Sequence, residues 1–103
     1  MSDASSTSAP SALERTYFAE TGRAIYRGRP FQRTREFLFA DASRGYAVCL
    51  RAAQRGGGFD HTLLILQRRI SGAVSQVEDD AQILRASAEI TACRARSDWV
   101  DAR

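Results

Sequence analysis

Five arginines stand at odd positions within one short stretch: Arg23, Arg27, Arg29, Arg33 and Arg35. In an extended chain alternate residues share a face, so this spacing predicts a row of guanidiniums with Ile25 and Phe31 among them. Guanidiniums interleaved with aromatic and aliphatic side chains suit phosphates, stacked bases or an acidic protein surface. Arg23, Arg27, Arg29, Phe31, Arg33 and Arg35 are therefore the candidate binding residues. The plainer reading of the same pattern is a solvated edge strand. Pro30 cannot donate to a ladder and belongs at an edge, and edge charges deter aggregation.

Arg27-Gly28-Arg29-Pro30 matches the four-residue heart of the AT-hook, which threads an arginine pair into the narrow minor groove of A·T-rich DNA. The copy is single, and its neighbours Ile25, Tyr26 and Phe31 are core-type residues rather than a basic tail. All 15 basic residues are arginine and none is lysine, so arginine pairs recur by chance. The odd-position spacing carries more than the four-residue match.

Other residues offer less. Arg55-Gly56-Gly57-Gly58-Phe59 lacks the lysine and hydroxyl of a phosphate-binding P-loop and reads as an ordinary glycine loop. His61 is the single imidazole, so imidazole acid–base chemistry must use it. With Asp60 and Cys49 it forms a Cys–His–Asp set on paper, but a helix-capping Asp60 beside a surface His61 is the better account. Glu78-Asp79-Asp80 reads as first-turn charge for a following helix. Cys49 and Cys93 lack C-x-x-C spacing and read as free, buried small hydrophobes of a cytoplasmic chain. No metal and no cofactor is expected.

The elements that position these groups must fit within 103 residues, room for one domain and one core. A hydrophobic content of 44% and a charged content of 26% are those of a small soluble globular protein. No apolar run approaches a membrane span, the N-terminus has no secretory pattern, and a cytoplasmic location is expected. Net charge is +3, modest for a dedicated nucleic-acid binder. It is concentrated in residues 21–70, which carry ten arginines against three carboxylates, between two mildly acidic ends. Such asymmetry points to an anionic partner or to ends that fold back on the middle.

Residues 1–10 are small and polar and are expected to form a disordered tail; a single α+β domain is expected over 11–103. Ser11 and Glu14 form a capping box opening an N-terminal helix, with Leu13, Tyr17 and Phe18 on one face and Gly22 as its stop. Three extended runs, 23–31, 35–41 and 45–52, predict an antiparallel β-meander. Gly45 is the left-handed residue in the second connection, and residues 53–60 form the loop that leaves the meander. The second half is ambiguous. Leu63, Leu66, Ile70, Ala73 and Val77 fit a helix, while residues 61–69 also read as a buried strand, with Ser71-Gly72 as a turn. Residues 81–96 divide the same way between alanine-rich helix and alternating strand. The helical reading is preferred for both. The apolar stripe is core, with any surplus forming a homodimer surface, and Trp99 docks the C-terminus or anchors an interface.

The expected function is a small non-enzymatic binding or accessory protein whose basic central surface engages an acidic partner. A nucleic-acid-binding regulator is the first alternative. A small enzyme or ligand-binding protein with a pocket near His61 and Cys49 is the second.

Overall fold

The structure, a computed structural model, describes residues 9–70 and 81–102. The fold is α+β. Helix α1 (Ala12–Ile25) is followed by β1 (Gln32–Thr34), β2 (Phe39–Asp41), β3 (Gly45–Ala53), β4 (Phe59–Leu66), β5 (Gln82–Leu84), the short helix α2 (Thr91–Arg94) and β6 (Trp99–Asp101). The six strands form one antiparallel sheet in the order β5-β4-β3-β1-β6, with β2 also paired to β3. No helix among the described residues is long and apolar enough to cross a membrane.

The capping box forms as its sequence demands. Ser11 Oγ accepts the Glu14 N–H, and the Glu14 carboxylate accepts the Ser11 N–H. The buried stripe of α1 is Glu14, Phe18 and Gly22; Leu13, expected on the core face, is exposed. Gly22 does not stop the helix. A Cβ there would run into the Phe31 ring, so glycine lets the returning chain pack against the helix. The helix ends one turn later, where Arg27 and Gly28 take φ of 56° and 83°. The Gly28 N–H bonds to the Arg23 carbonyl, satisfying one end-of-helix acceptor.

This corrects the arginine stretch. Arg23 is helical, Arg27 and Arg29 belong to a turn, and only Arg33 of the five arginines is in a strand. No common extended face joins them. A helix and a turn win because the buried Tyr26 and Phe31 must both reach the core, their rings 5.6 Å apart, and the turn at 26–28 is what folds the chain back.

From β1 onward the chain is a meander, broken once. Between β1 and β2 the Thr34 hydroxyl accepts the Cys49 N–H at 3.1 Å, replacing a backbone acceptor where the ladder lapses. Gly45, at φ 103°, supplies the expected left-handed conformation. Residues 54–58 do not lead out of the sheet; they close a hairpin in which Ala53 faces Phe59 and Arg51 faces His61.

The helical reading of residues 61–77 is overturned where the structure describes them: Phe59–Leu66 is a strand. Thr62 through Leu66 are all buried, because both faces of the sheet are covered. One face packs Val48, Leu50, Ala52, Leu64 and Leu66 against Phe18, Tyr26 and Phe31. The other packs Ala47, Cys49, Leu63 and Ile65 beneath Ile90 and Cys93. A helix with a single apolar stripe would have left Leu64 or Ile65 in water. Residues 81–96 are likewise mostly non-helical, resolving into β5, a turn at 87–89 and one turn of helix. Ala73, Val77, the Ser71-Gly72 turn, the Glu78-Asp79-Asp80 run and most of the N-terminal tail lie outside the described residues.

The cysteines are not free thiols. Cys49 and Cys93 form a disulfide across 44 residues, which ties α2 onto the middle of β3. Such bonds persist in oxidising surroundings.

Candidate functional site

Among the described residues two surface depressions, one on each face of the sheet, are lined by cationic side chains.

On the face that carries α2, the disulfide and Ile90 cover the middle of β3 and β4, but the hairpin end is open. There β3 presents Arg51, β4 presents Phe59 and His61, β1 presents Gln32 and β6 presents Trp99. Their registers explain the grouping: Arg51 lies opposite His61 on one side and Gln32 on the other, and Gln32 lies opposite Asp101. The Arg51 guanidinium stands 3.9 Å from the Phe59 ring centre and 4.3 Å from that of Trp99. Its Nε donates to Gln32 Oε1 at 2.8 Å. Two cation–π contacts and a fixed hydrogen bond hold it in place, and no carboxylate among the described residues pairs with it. Burial between the rings lowers its pKa, yet an arginine stays protonated at any ordinary pH.

His61 completes the patch, its ring 5.8 Å from Trp99 and 6.2 Å from Phe59. Burial lowers its pKa below the usual histidine value. Arg51 and Arg94 add to that, and Asp60 opposes it. Phe59 is 42% exposed, among the more exposed large apolar residues described. A groove of about 390 Å³ runs beside it, lined by Pro30, Gln32, Arg51, Phe59 and Asp101 among others. Arg29 borders this end, donating to the Ala53 carbonyl at 3.1 Å and standing 3.8 Å from Asp60. Asp60 also pairs with Arg85, so its carboxylate is a strand residue shared by two arginines rather than a helix cap.

On the opposite face, a cleft of about 510 Å³ separates α1 from β6. Arg15 and Arg23 line it from the helix, Arg33 from β1 and Asp101 from β6. Arg33 is only 7% exposed.

The six sequence-predicted residues are therefore dispersed. Arg23 and Arg33 meet in the cleft, and Arg29 borders the Arg51 groove. Phe31 is core beneath Tyr26, Arg27 is exposed in the turn, and Arg35 lies at the other end of the sheet beside Glu36, Arg96 and Asp98. Sequence reading missed Arg15, Gln32 and Arg51. Recognising the glycine-rich 54–58 hairpin would have set Arg51 against His61, but the partnership with Trp99 depends on β6 closing the edge of β1. The Cys–His–Asp set is excluded, since the Cys49 sulfur is committed to Cys93. No cluster of potential metal ligands occurs among the described residues. No protein family, curated protein or solved structure matches this chain.

Proposed function

We propose that this is a small binding or accessory protein that engages an acidic partner through the open hairpin end of its sheet. The observation that carries this reading is Arg51, clamped between Phe59 and Trp99, bonded to Gln32 and without a carboxylate partner among the described residues. A guanidinium fixed in advance loses little side-chain entropy on binding and can take a carboxylate in two-point fashion. Arg and Trp are also the residues that most often dominate an interface. Arg29 adds a second cation at the same end, and the exposed Phe59 adds an apolar anchor.

A fluorescently labelled glutamate-rich peptide tests it, with a neutral peptide of equal length as control. The acidic peptide binds saturably, and Arg51→Ala weakens it by about tenfold or more. Equal binding of both peptides, or no effect of Arg51→Ala, would overturn the assignment.

Nucleic acid is the second reading, favoured by one observation: Phe59, His61 and Trp99 share an open antiparallel sheet face, an arrangement suited to stacking bases. It ranks behind because Arg51 already covers one face of the Phe59 and Trp99 rings. Saturable binding of a labelled single-stranded oligonucleotide, weakening steeply with salt, would favour it over the acidic protein.

A further inference from the structure

We propose that the cleft between α1 and β6 is a binding site for a phosphate monoester, with Arg33 at its floor and Arg15 and Arg23 on its helical wall. The argument starts with Arg33. The residue is more than nine-tenths buried, and among the described residues its guanidinium makes one hydrogen bond, from Nη1 to the Thr34 carbonyl at 3.0 Å. No carboxylate among the described residues pairs with it. A buried cation is normally paired, because leaving it unpaired sacrifices hydration without compensation. Here burial and the neighbouring Arg15 both act against the charge. Arg33 is one of the residues that line the cleft, where an anion would supply the charge partner that no described carboxylate does.

The helix supplies the rest by its own periodicity. Ala12, Arg15, Thr16, Ala19 and Arg23 form a stripe beside the buried one, and the stripe lines the cleft. The alanines keep it open, and Arg15 and Arg23 stand two turns apart along its wall. The volume of about 510 Å³ falls within the range of small-molecule sites.

The same lining includes Glu20 and Asp101, which decides the ligand class. Three arginines against two carboxylates leave a single surplus positive charge, too little for a polyphosphate. The anionic group belongs at the Arg15–Arg33 end, where the two cations repel one another. The carboxylates then face an uncharged, hydroxyl-bearing remainder that donates hydrogen bonds to them. A phosphate monoester of a small polyol has both parts. Its arginines are not those of the Arg51 groove, which lies on the other face of the sheet, and Asp101 at the sheet edge borders both.

Isothermal titration calorimetry at constant ionic strength, with inorganic phosphate, glycerol 3-phosphate and glycerol as probes, tests the proposal. Both phosphates bind saturably, glycerol 3-phosphate more tightly, and glycerol does not bind. Arg33→Met abolishes binding. Because that position is buried, the exposed pair Arg15→Ala and Arg23→Ala carries the test independently: together they weaken glycerol 3-phosphate by about tenfold or more, as loss of charge-assisted bonds should. Arg44→Ala, which removes an exposed arginine at the β2–β3 turn that lines neither cleft nor groove, is the matched control and leaves the titration unchanged. Absence of saturable binding at about 10 mM of either phosphate, a range that still detects millimolar affinity, overturns the site, as does unchanged affinity in the double variant. Equal affinity for the two phosphates removes the role given to Glu20 and Asp101 and overturns the monoester assignment.

Discussion

The fully buried carboxylate of Glu14 receives two hydrogen bonds from the Arg69 guanidinium, from Nε at 2.7 Å and from Nη2 at 2.9 Å. It also accepts the Ile70 N–H at 2.8 Å and the Ser11 N–H at 2.8 Å. One side chain thus caps its own helix and fastens the chain leaving β4 to it. Arg69 in turn lies over Phe37 and Tyr46, which keeps the pair ordered.

Removing that carboxylate strands a cation and a buried N–H, so Glu14→Ala is expected to cost about 3 kcal/mol, read by urea denaturation. Acid has the same effect more gradually. Burial by itself would raise the Glu14 pKa, but the bonds from Arg69, Ser11 and Ile70 outweigh it and hold the pKa below the ordinary value. A depressed folded-state pKa gives stability that is complete above the unfolded value, about 4.3, and is lost as pH falls through the folded one. Stability should therefore decline below about pH 4.3, and less steeply in Glu14→Ala.

The Cys49–Cys93 bond closes a long loop, and chain-entropy reasoning assigns such a loop about 4 kcal/mol. Denaturation with and without dithiothreitol should differ by up to that amount. The Cys49→Ala, Cys93→Ala double variant should match the reduced protein and be insensitive to reductant. Free thiol detected stoichiometrically in the denatured, unreduced protein would contradict the pairing.

Gly22→Ala should destabilise despite alanine's higher helix propensity. The propensity gain is about 1 kcal/mol, and forcing a methyl against the Phe31 ring costs about 1–3 kcal/mol. Phe31→Leu in the same chain should recover part of the loss, giving a coupling between the two positions in a double-mutant cycle.

His61 should titrate below the ordinary histidine value of about 6.5, followed by its ring proton shifts in NMR. Its partial burial is the first cause, and Arg51 and Arg94 are the next. Arg51→Ala should therefore raise the His61 pKa. Because the folded-state pKa is the lower one, this group's contribution to stability is complete above the unfolded pKa and falls away as the solution is acidified through the folded one.

Local chemistry was legible in the sequence wherever a few neighbouring residues settle it. Ser11 and Glu14 declare the start of α1, because the capping box closes within one turn. Gly45 declares its turn, because few other residues accept that φ. The α+β class follows from one capped helix and several apolar, β-rich runs. What the sequence could not decide was anything set by covering the second face of the sheet. Whether Thr62–Leu66 is helix or strand depends on Ile90 and Cys93 arriving from the far end of the chain to bury Leu63 and Ile65. Gly22 reads as a helix stop until Phe31 is seen against it. The arginines show the limit most clearly. Their odd-position spacing implies one face only if the chain is extended, and the packing of Tyr26 and Phe31 bends it instead. Tertiary structure then regroups the charges, joining Arg23 to Arg15 and Arg33, and setting Arg51 between Phe59 and Trp99. A charge bears on function through the groups left unpaired around it, and which groups those are is decided by long-range packing.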